Sequence, residues 1–158
     1  MSKWMIAGLA AAAVSVTAVA MAVPPVAEPA LGATAAGFKA NDMHGKAVDL
    51  AQYRGKVVVL EWNNPECPFV KKHYNSGNMQ KTQAGAAAQG AVWLTINSGA
   101  PGLQGHMSGP QAQAFVAGAK AKPTAYLFDP GGQIGRAYGA KTTPHMYIID
   151  AQGRLVYR

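Results

Sequence analysis

The sequence contains one cysteine, Cys67, among 158 residues. An internal disulfide is therefore excluded, and the thiol is either a small buried side chain or a group that reacts with an external partner. Acidic residues are also few, 7 against 14 Lys and Arg, but the cations are scattered and only Lys71-Lys72 are adjacent. Nucleic-acid binding needs a clustered basic face, so no nucleic-acid partner is predicted. No stretch matches a phosphate-binding loop, and the sequence predicts no cofactor.

The first 22 residues have the pattern of a secretory signal peptide. Lys3 precedes an apolar run from Met5 to Val19, and Ala20-Met21-Ala22 offers a small-x-small cleavage site. The alternative is an uncleaved membrane anchor, but the run is short for a membrane span. We predict a signal peptide at 1–22, a flexible leader at 23–37 and one folded domain at 38–158. The protein would then be periplasmic or secreted, with no membrane attachment after cleavage.

Strands and helices alternate along the folded part of the chain. The mainly apolar, β-branched run Val57–Trp62 is typical of a strand buried on both faces, as in a parallel sheet. The other predicted elements are a hairpin around residues 41–46, strands at 91–96, 124–128, 145–149 and 154–157, and helices from residue 67, at 76–88, 111–119 and 133–138. This order predicts an α/β fold, with a mostly parallel central sheet flanked by helices. Ser76 is the predicted cap of the second helix. A closing helix is missing, which predicts a C-terminally truncated domain.

Cys67 stands where the buried strand passes into a helix. Pro68 is suited to the first helical turn, where its missing N–H costs nothing. The N–H groups and the dipole at a helix start stabilise a thiolate, so the pKa of the Cys67 thiol is expected to fall. Lys71-Lys72 would add to this effect, and Glu61 and Glu66 would oppose it. The position therefore favours a reactive thiol over an inert one.

Four motifs, in this order and spacing, carry a family resemblance. They are the Gly45-Lys46 hairpin with Tyr53-Arg54-Gly55-Lys56, then Glu66-Cys67-Pro68-Phe69-Val70, then Asp129 with Arg136-Ala137-Tyr138-Gly139-Ala140, and Thr143-Pro144 before Tyr147-Ile148-Ile149-Asp150. They resemble the thioredoxin-like redoxins, the group that includes the alkyl hydroperoxide reductase / thiol-specific antioxidant (peroxiredoxin-like) family. The resemblance implies a thioredoxin-like fold. It also implies that Pro144 is cis and packs beside Cys67, and that the backbone at Thr143 is available to an incoming substrate.

The sequence departs from this group at the reactive centre. Val70 stands where a thioredoxin has its second cysteine, so no internal dithiol exchange is possible. Leu60 and Asn64 stand where a typical peroxiredoxin has the Pro and the Thr/Ser that precede its cysteine. The standard peroxide site is therefore not present, and Asn63 or Asn64 is the candidate replacement for its polar contacts.

These observations predict a thiol-based oxidoreductase and antioxidant with Cys67 as the catalytic residue. Its thiolate would attack a peroxide to give a sulfenic acid, or a disulfide to give a mixed disulfide. An external thiol or a thioredoxin-like reductant would then resolve the product. The residues predicted to support the site are Asn64, Glu66, Pro68, Thr143 and Pro144.

Two alternatives from other classes remain open. Cys67 could carry Cu(I) together with ligands from Met43-His44, His106-Met107 and His145-Met146, because soft sulfur ligands suit that ion. Methionines also fill core gaps, so no metal site is assigned. The other alternative is a redox-inactive relative that serves as a binding domain. The rate of Cys67 alkylation against pH would distinguish this inactive relative from an enzyme with an activated thiol.

Overall fold

A computed structural model of the chain describes residues 28–158. The predicted signal peptide and the first part of the predicted leader lie outside the described residues. Between residues 28 and 158, no helix has the length and apolar composition needed to cross a membrane.

The described chain alternates strands and helices as the sequence predicts, with boundaries that differ by no more than two residues. The elements are β1 (Lys39–Asn41), β2 (Ala47–Asp49), a 3-10 turn (Leu50–Tyr53), β3 (Val58–Trp62), α1 (Pro68–Asn75), α2 (Asn78–Ala88), β4 (Val92–Asn97), α3 (Gly109–Gly118), β5 (Ala125–Phe128), α4 (Gln133–Tyr138), β6 (His145–Ile149) and β7 (Leu155–Tyr157). The predicted α/β class is confirmed.

Five strands form the central sheet in the order β5-β4-β3-β6-β7, while β1 and β2 form a separate antiparallel hairpin. The pairs β3/β4 and β4/β5 are parallel, and β3/β6 and β6/β7 are antiparallel. The parallel half follows from the helical crossovers between its strands, and the antiparallel half ends in a tight hairpin. The strand β3, which leads to Cys67, therefore lies at the centre of the sheet.

All five residues of β3 are buried, which confirms the prediction from its continuous apolar run. Successive side chains point to opposite faces of the sheet. On one face, Leu60 and Trp62 join the largest core cluster, which also contains Tyr147. On the other face, Val59 packs in a second cluster with Trp93. The side chain of Cys67 packs at the border of this second cluster.

The start of α2 differs from the prediction. Ser76 does not cap α2 but ends α1, where its backbone N–H donates to the carbonyl oxygens of Lys72 and Tyr74. Gly77, with a φ of 75°, precedes α2 and provides no side-chain cap. The chain reverses between two helices here, and a left-handed residue makes that turn without steric cost only when it is glycine.

The predicted leader also differs from the structure where it is described. The N–H of Gly32 donates to the carbonyl of Leu155 at 2.7 Å, and the N–H of Ala35 donates to that of Gly153 at 2.9 Å. The carbonyl of Ala33 accepts a hydrogen bond from Leu155 at 2.9 Å. Residues 32–35 are therefore hydrogen-bonded to the start of β7 and do not form a free leader. Backbone pairing of this kind needs no apolar pattern, so the composition did not reveal it.

Candidate active site around Cys67

Cys67 is the residue that precedes the first turn of α1, and Pro68 begins that helix as predicted. Its backbone conformation is extended, with φ −64° and ψ 128°, so the chain turns from loop to helix at this residue. The side chain is partly exposed. The sulfur is therefore not the sealed core thiol of the inert interpretation.

Asn64 builds the turn that delivers Cys67 to the helix start. Its Oδ1 accepts a hydrogen bond from the backbone N–H of Glu66 at 2.9 Å, and its carbonyl oxygen accepts one from the N–H of Cys67 at 3.0 Å. The side chain of Glu66 is exposed. Asn64 and Glu66 thus shape the loop through these bonds. Asn63 is buried, and its Oδ1 accepts from the hydroxyl of Tyr126 at 3.1 Å.

The loop before β6 contacts the sulfur through the Thr143 carbonyl. The peptide bond between Thr143 and Pro144 is cis, as the resemblance implied. The Sγ atom of Cys67 lies 3.0 Å from the carbonyl oxygen of Thr143, across 76 positions of sequence. Because β6 pairs with β3, the ends of these strands bring the two segments together. The structure therefore places Cys67, Thr143 and Pro144 in one site.

The pKa of the Cys67 thiol is lowered from its ordinary value. A hydrogen bond to the side chain of Thr143 is the largest cause of the lowered pKa, burial opposes it, and the backbone N–H groups of Val70 and Phe69 lower the pKa further. The Thr143 carbonyl oxygen opposes the shift, since it can accept only from the protonated thiol. The donors outweigh burial and this one acceptor, so the pKa is lowered. The shift arises from these hydrogen bonds and not from the predicted Lys71-Lys72 pair, whose side chains are exposed.

A buried carboxylate lies in the same strand, and its network of partners was not foreseen from the sequence. Glu61 is fully buried. Its carboxylate accepts from the hydroxyl of Tyr74 at 2.8 Å and from the indole N–H of Trp93 at 2.9 Å. Further donors are Asn63 at 3.2 Å, Thr95 at 3.2 Å and Gln83 at 3.5 Å. Complete burial raises the pKa of Glu61, and these hydrogen bonds work against that rise.

A polar cleft of about 290 Å³ lies at the carboxyl ends of β3 and β4. Asn64 and Thr143, which both contact Cys67, also line this cleft. Asn97, at the end of β4, donates its amide hydrogens to the carbonyls of Asn63 at 3.1 Å and Gly105 at 2.9 Å. These bonds tie the loop at 98–106 to the loop before Cys67. These hydrogen bonds hold two of the loops that line the cleft in a fixed position relative to each other.

The residues of the copper alternative do not assemble around Cys67. Met43 and Met107 pack in a core cluster with Tyr126, whose hydroxyl lies 3.3 Å from the Met107 sulfur. His145 and Met146 are successive residues of β6, so they face opposite sides of the sheet. Within residues 28–158, no group of three His, Cys, Asp or Glu side chains is arranged to hold a metal ion. The methionines act here as core-filling side chains.

The fold, with a cysteine at a helix start beside a cis-proline loop, defines a thioredoxin-like redoxin. The chain belongs to the AhpC/TSA family, whose model matches residues 31–158. A comparison with curated proteins gave no match.

Similar solved structures share this fold. A hypothetical protein from Sinorhizobium meliloti 1021 has 27% identity and a TM-score of 0.73, over 83% of this chain and 70% of that one. A protein described as the thiol:disulfide interchange protein DsbE from Chlorobium tepidum has 26% identity and a TM-score of 0.66, over 82% and 84%. The exposed lipoprotein thioredoxin Etrx1 from Streptococcus pneumoniae has 27% identity and a TM-score of 0.60, over 77% and 86%. These similarities support a thiol–disulfide oxidoreductase-like protein.

Proposed function

We propose that this protein is a thiol–disulfide oxidoreductase that works with one cysteine. The observation that carries the proposal is the partly exposed Cys67 sulfur at the start of α1, 3.0 Å from the Thr143 carbonyl in the cis-Pro144 loop. The helix start supplies N–H donors that favour the thiolate, which is the nucleophile in thiol–disulfide exchange. The similarity to the interchange protein DsbE supports the same reaction.

The reaction runs through a mixed disulfide. The Cys67 thiolate attacks one sulfur of a partner disulfide, the partner's S–S bond breaks, and the departing thiolate takes a proton from water. Val70, buried three residues after Cys67, stands where a resolving thiol would be needed. An external thiol or a thioredoxin-like reductant therefore attacks the mixed disulfide and releases Cys67 as a thiol.

The other site residues prepare this sulfur for attack. Asn64 and Glu66 form the turn before Cys67, and Pro68 begins the helix. The Thr143 carbonyl lies 3.0 Å from the sulfur, and its peptide bond to Pro144 is cis. In this role these residues position the sulfur, Thr143 also lowers the pKa of the thiol, and Cys67 alone forms the covalent bond.

Reduction of a peroxide is the second candidate, and family membership favours it. The thiolate would attack the O–O bond, giving a sulfenic acid on Cys67 and releasing water or an alcohol. Leu60 is fully buried and Asn64 is committed to a turn. Neither therefore reproduces the contacts of the standard peroxide motif, so disulfide exchange is the better-supported reaction.

We place this reaction outside the cytoplasm, in the periplasm or the secreted fraction. The signal-peptide pattern of residues 1–22 supports this placement. The similar Etrx1 protein, which is described as an exposed lipoprotein, also supports it.

Mass spectrometry after brief exposure to a disulfide, and separately to a peroxide, tests the proposed function. Cys67 should gain a mixed disulfide rapidly, and Cys67→Ser should gain none. The matched control is Cys67→Ser combined with Ser76→Cys, which moves the only thiol to an exposed residue at the end of α1. If Cys67 reacts no faster than this displaced thiol, the protein is a redox-inactive relative and the proposal is wrong.

A further inference from the structure

The polar cleft near Cys67 is positioned to bind the non-reacting portion of a substrate molecule. It opens where β3 and β4 end, with Trp62 and Asn97 as the last residues of these strands. In open α/β sheets, ligands bind in the crevice outside the carboxyl ends of the parallel strands. Two residues of the lining contact Cys67: the Thr143 carbonyl lies next to the sulfur, and the Asn64 carbonyl accepts from the backbone N–H of Cys67, so a molecule seated in the cleft has one end close to Cys67.

The chemistry of the cleft walls selects for a polar and negatively charged molecule. The described lining includes the amides of Asn64 and Gln104, the hydroxyl of Thr142 and the ammonium of Lys141. No acidic side chain is among the described residues of the lining. The amide nitrogen of Asn64 and the side chain of Gln104 make no hydrogen bond within the described chain, so donors remain for a ligand. Carboxylates are the natural partners of such donors and of an ammonium group.

Lys141 is the one cation among the described residues of the cleft lining. Its ammonium pairs with the carboxylate of Glu28, which also pairs with Arg158, and neither Glu28 nor Arg158 lines the cleft. The described lining therefore contains a cationic side chain and no anionic one. A cation in a cleft raises the local concentration of anionic reactants and their rate of encounter.

We propose that this cleft is a binding site for small, carboxylate-bearing disulfides, which Cys67 attacks without the need for a protein partner. The inference rests on the proposed function and adds its substrate class. The Cys67 thiolate forms a bond to the nearer sulfur of the bound disulfide, whose S–S bond breaks. The departing half keeps the electron pair of the broken S–S bond, so it leaves as a reduced thiolate, which then takes a proton from water. A second small thiol then exchanges with the mixed disulfide and restores Cys67.

Three small disulfides of similar size and different charge are the probes. They are 3,3′-dithiodipropionate, which is anionic, bis(2-hydroxyethyl) disulfide, which is neutral, and cystamine, which is cationic. The second-order rate constant for mixed-disulfide formation on Cys67 is measured at low ionic strength, because salt screens such charges. Each rate is divided by that of a small free thiol with the same disulfide, which removes intrinsic reactivity. The normalised rate should be highest for the anionic disulfide and lowest for the cationic one.

Charge substitutions then test whether the cleft causes this order. Gln104→Glu should lower the anionic-to-cationic rate ratio about tenfold, because a charge placed several ångströms from a bound carboxylate repels it. Gln104→Lys should raise the ratio, and Lys141→Gln should lower it. The matched control is Gln152→Glu, which adds the same charge in the exposed β6–β7 turn, outside the cleft lining. It should leave the ratio close to that of the unmodified protein.

The outcomes separate this inference from the proposed function. Equal normalised rates for the three disulfides, or equal effects of Gln104→Glu and Gln152→Glu, would overturn the cleft as a selective site. Disulfide exchange at Cys67 would still stand in that case. If Cys67 reacts with none of the three disulfides while a free thiol does, the proposed function itself fails.

Discussion

Tyr74, in the last turn of α1, donates its hydroxyl hydrogen to the buried carboxylate of Glu61 in β3, at 2.8 Å. This bond joins the helix that follows Cys67 to the strand that precedes it. Trp93 and Thr95 of β4 and Gln83 of α2 bond to the same carboxylate. One acidic side chain thus connects two strands and two helices beneath the proposed site.

Loss of the Tyr74 hydroxyl should destabilise the fold. We expect Tyr74→Phe to lower the free energy of unfolding by about 1–3 kcal/mol, because it removes a donor from a buried carboxylate. Urea denaturation measures the change. Tyr157→Phe, at an exposed residue of β7, is the matched control and should have little effect. Equal stabilities of the two variants would show that the Tyr74–Glu61 bond contributes nothing.

The Thr143 side chain should set the reactivity of Cys67. Its hydrogen bond is the largest cause of the lowered pKa of the thiol, so Thr143→Ala should raise that pKa. Thr143→Ser keeps the hydroxyl and should restore the lower value. The rate of iodoacetamide alkylation against pH measures this, with Thr142→Ala as the neighbouring control. A pH profile that Thr143→Ala leaves unmoved would assign the shift to the helix N–H groups alone.

Glu61 should make stability depend on pH. Burial raises its pKa above 4.5, so the folded protein keeps this proton at pH values where the unfolded chain has lost it. The contribution of Glu61 to the free energy of unfolding therefore falls as the pH rises from about 4.5 through the raised pKa.

A comparison of unfolding curves for the unmodified protein and Glu61→Gln isolates this contribution, because other titrating groups cancel. The stability difference, unmodified minus variant, should decrease with rising pH. Should the variant fail to fold, the infrared carbonyl band of the protonated carboxyl in the unmodified protein gives the same pKa. A difference that grows with pH would mean that the five donors outweigh burial and hold the pKa down.

Gly105 should be intolerant of a side chain. A Cβ atom at this residue would lie 2.4–2.5 Å from the side-chain atoms of Asn64, and its φ is +83°. We expect Gly105→Ala to cost about 1–3 kcal/mol more in stability than backbone strain alone, and to disturb the turn before Cys67.

Gly102→Ala is the matched control for this substitution. Gly102 has a similar φ of +79°, but no atom lies within 4 Å of the added Cβ. Gly102→Ala therefore measures the effect of backbone strain at a positive φ without a steric overlap with another side chain. In chemical denaturation, Gly105→Ala should be less stable than Gly102→Ala. The Cys67 alkylation rates of the two variants should also differ. Equal values would contradict the close approach of the 98–106 loop to Asn64.

The elements of the fold were predictable because their signals are local. The apolar run of β3 and the proline after Cys67 each depend on neighbouring residues, and both predictions are confirmed. The predicted Ser76 cap was wrong, because the reversal between α1 and α2 depends on a left-handed residue and not on a cap. The pairing of residues 32–35 with β7 was missed, since backbone hydrogen bonds leave no trace in side-chain pattern.

The sequence by itself determined the order of strands and helices and the position of one thiol at a helix start, since hydrophobic periodicity and proline stereochemistry act over a few residues. Tertiary structure alone decided what surrounds that thiol. Only the pairing of β3 with β6 brings Thr143 to the sulfur, and only the packing of four elements gathers donors on Glu61. Such contacts join residues far apart in the chain, and their distances depend on the folded backbone, which no local pattern encodes.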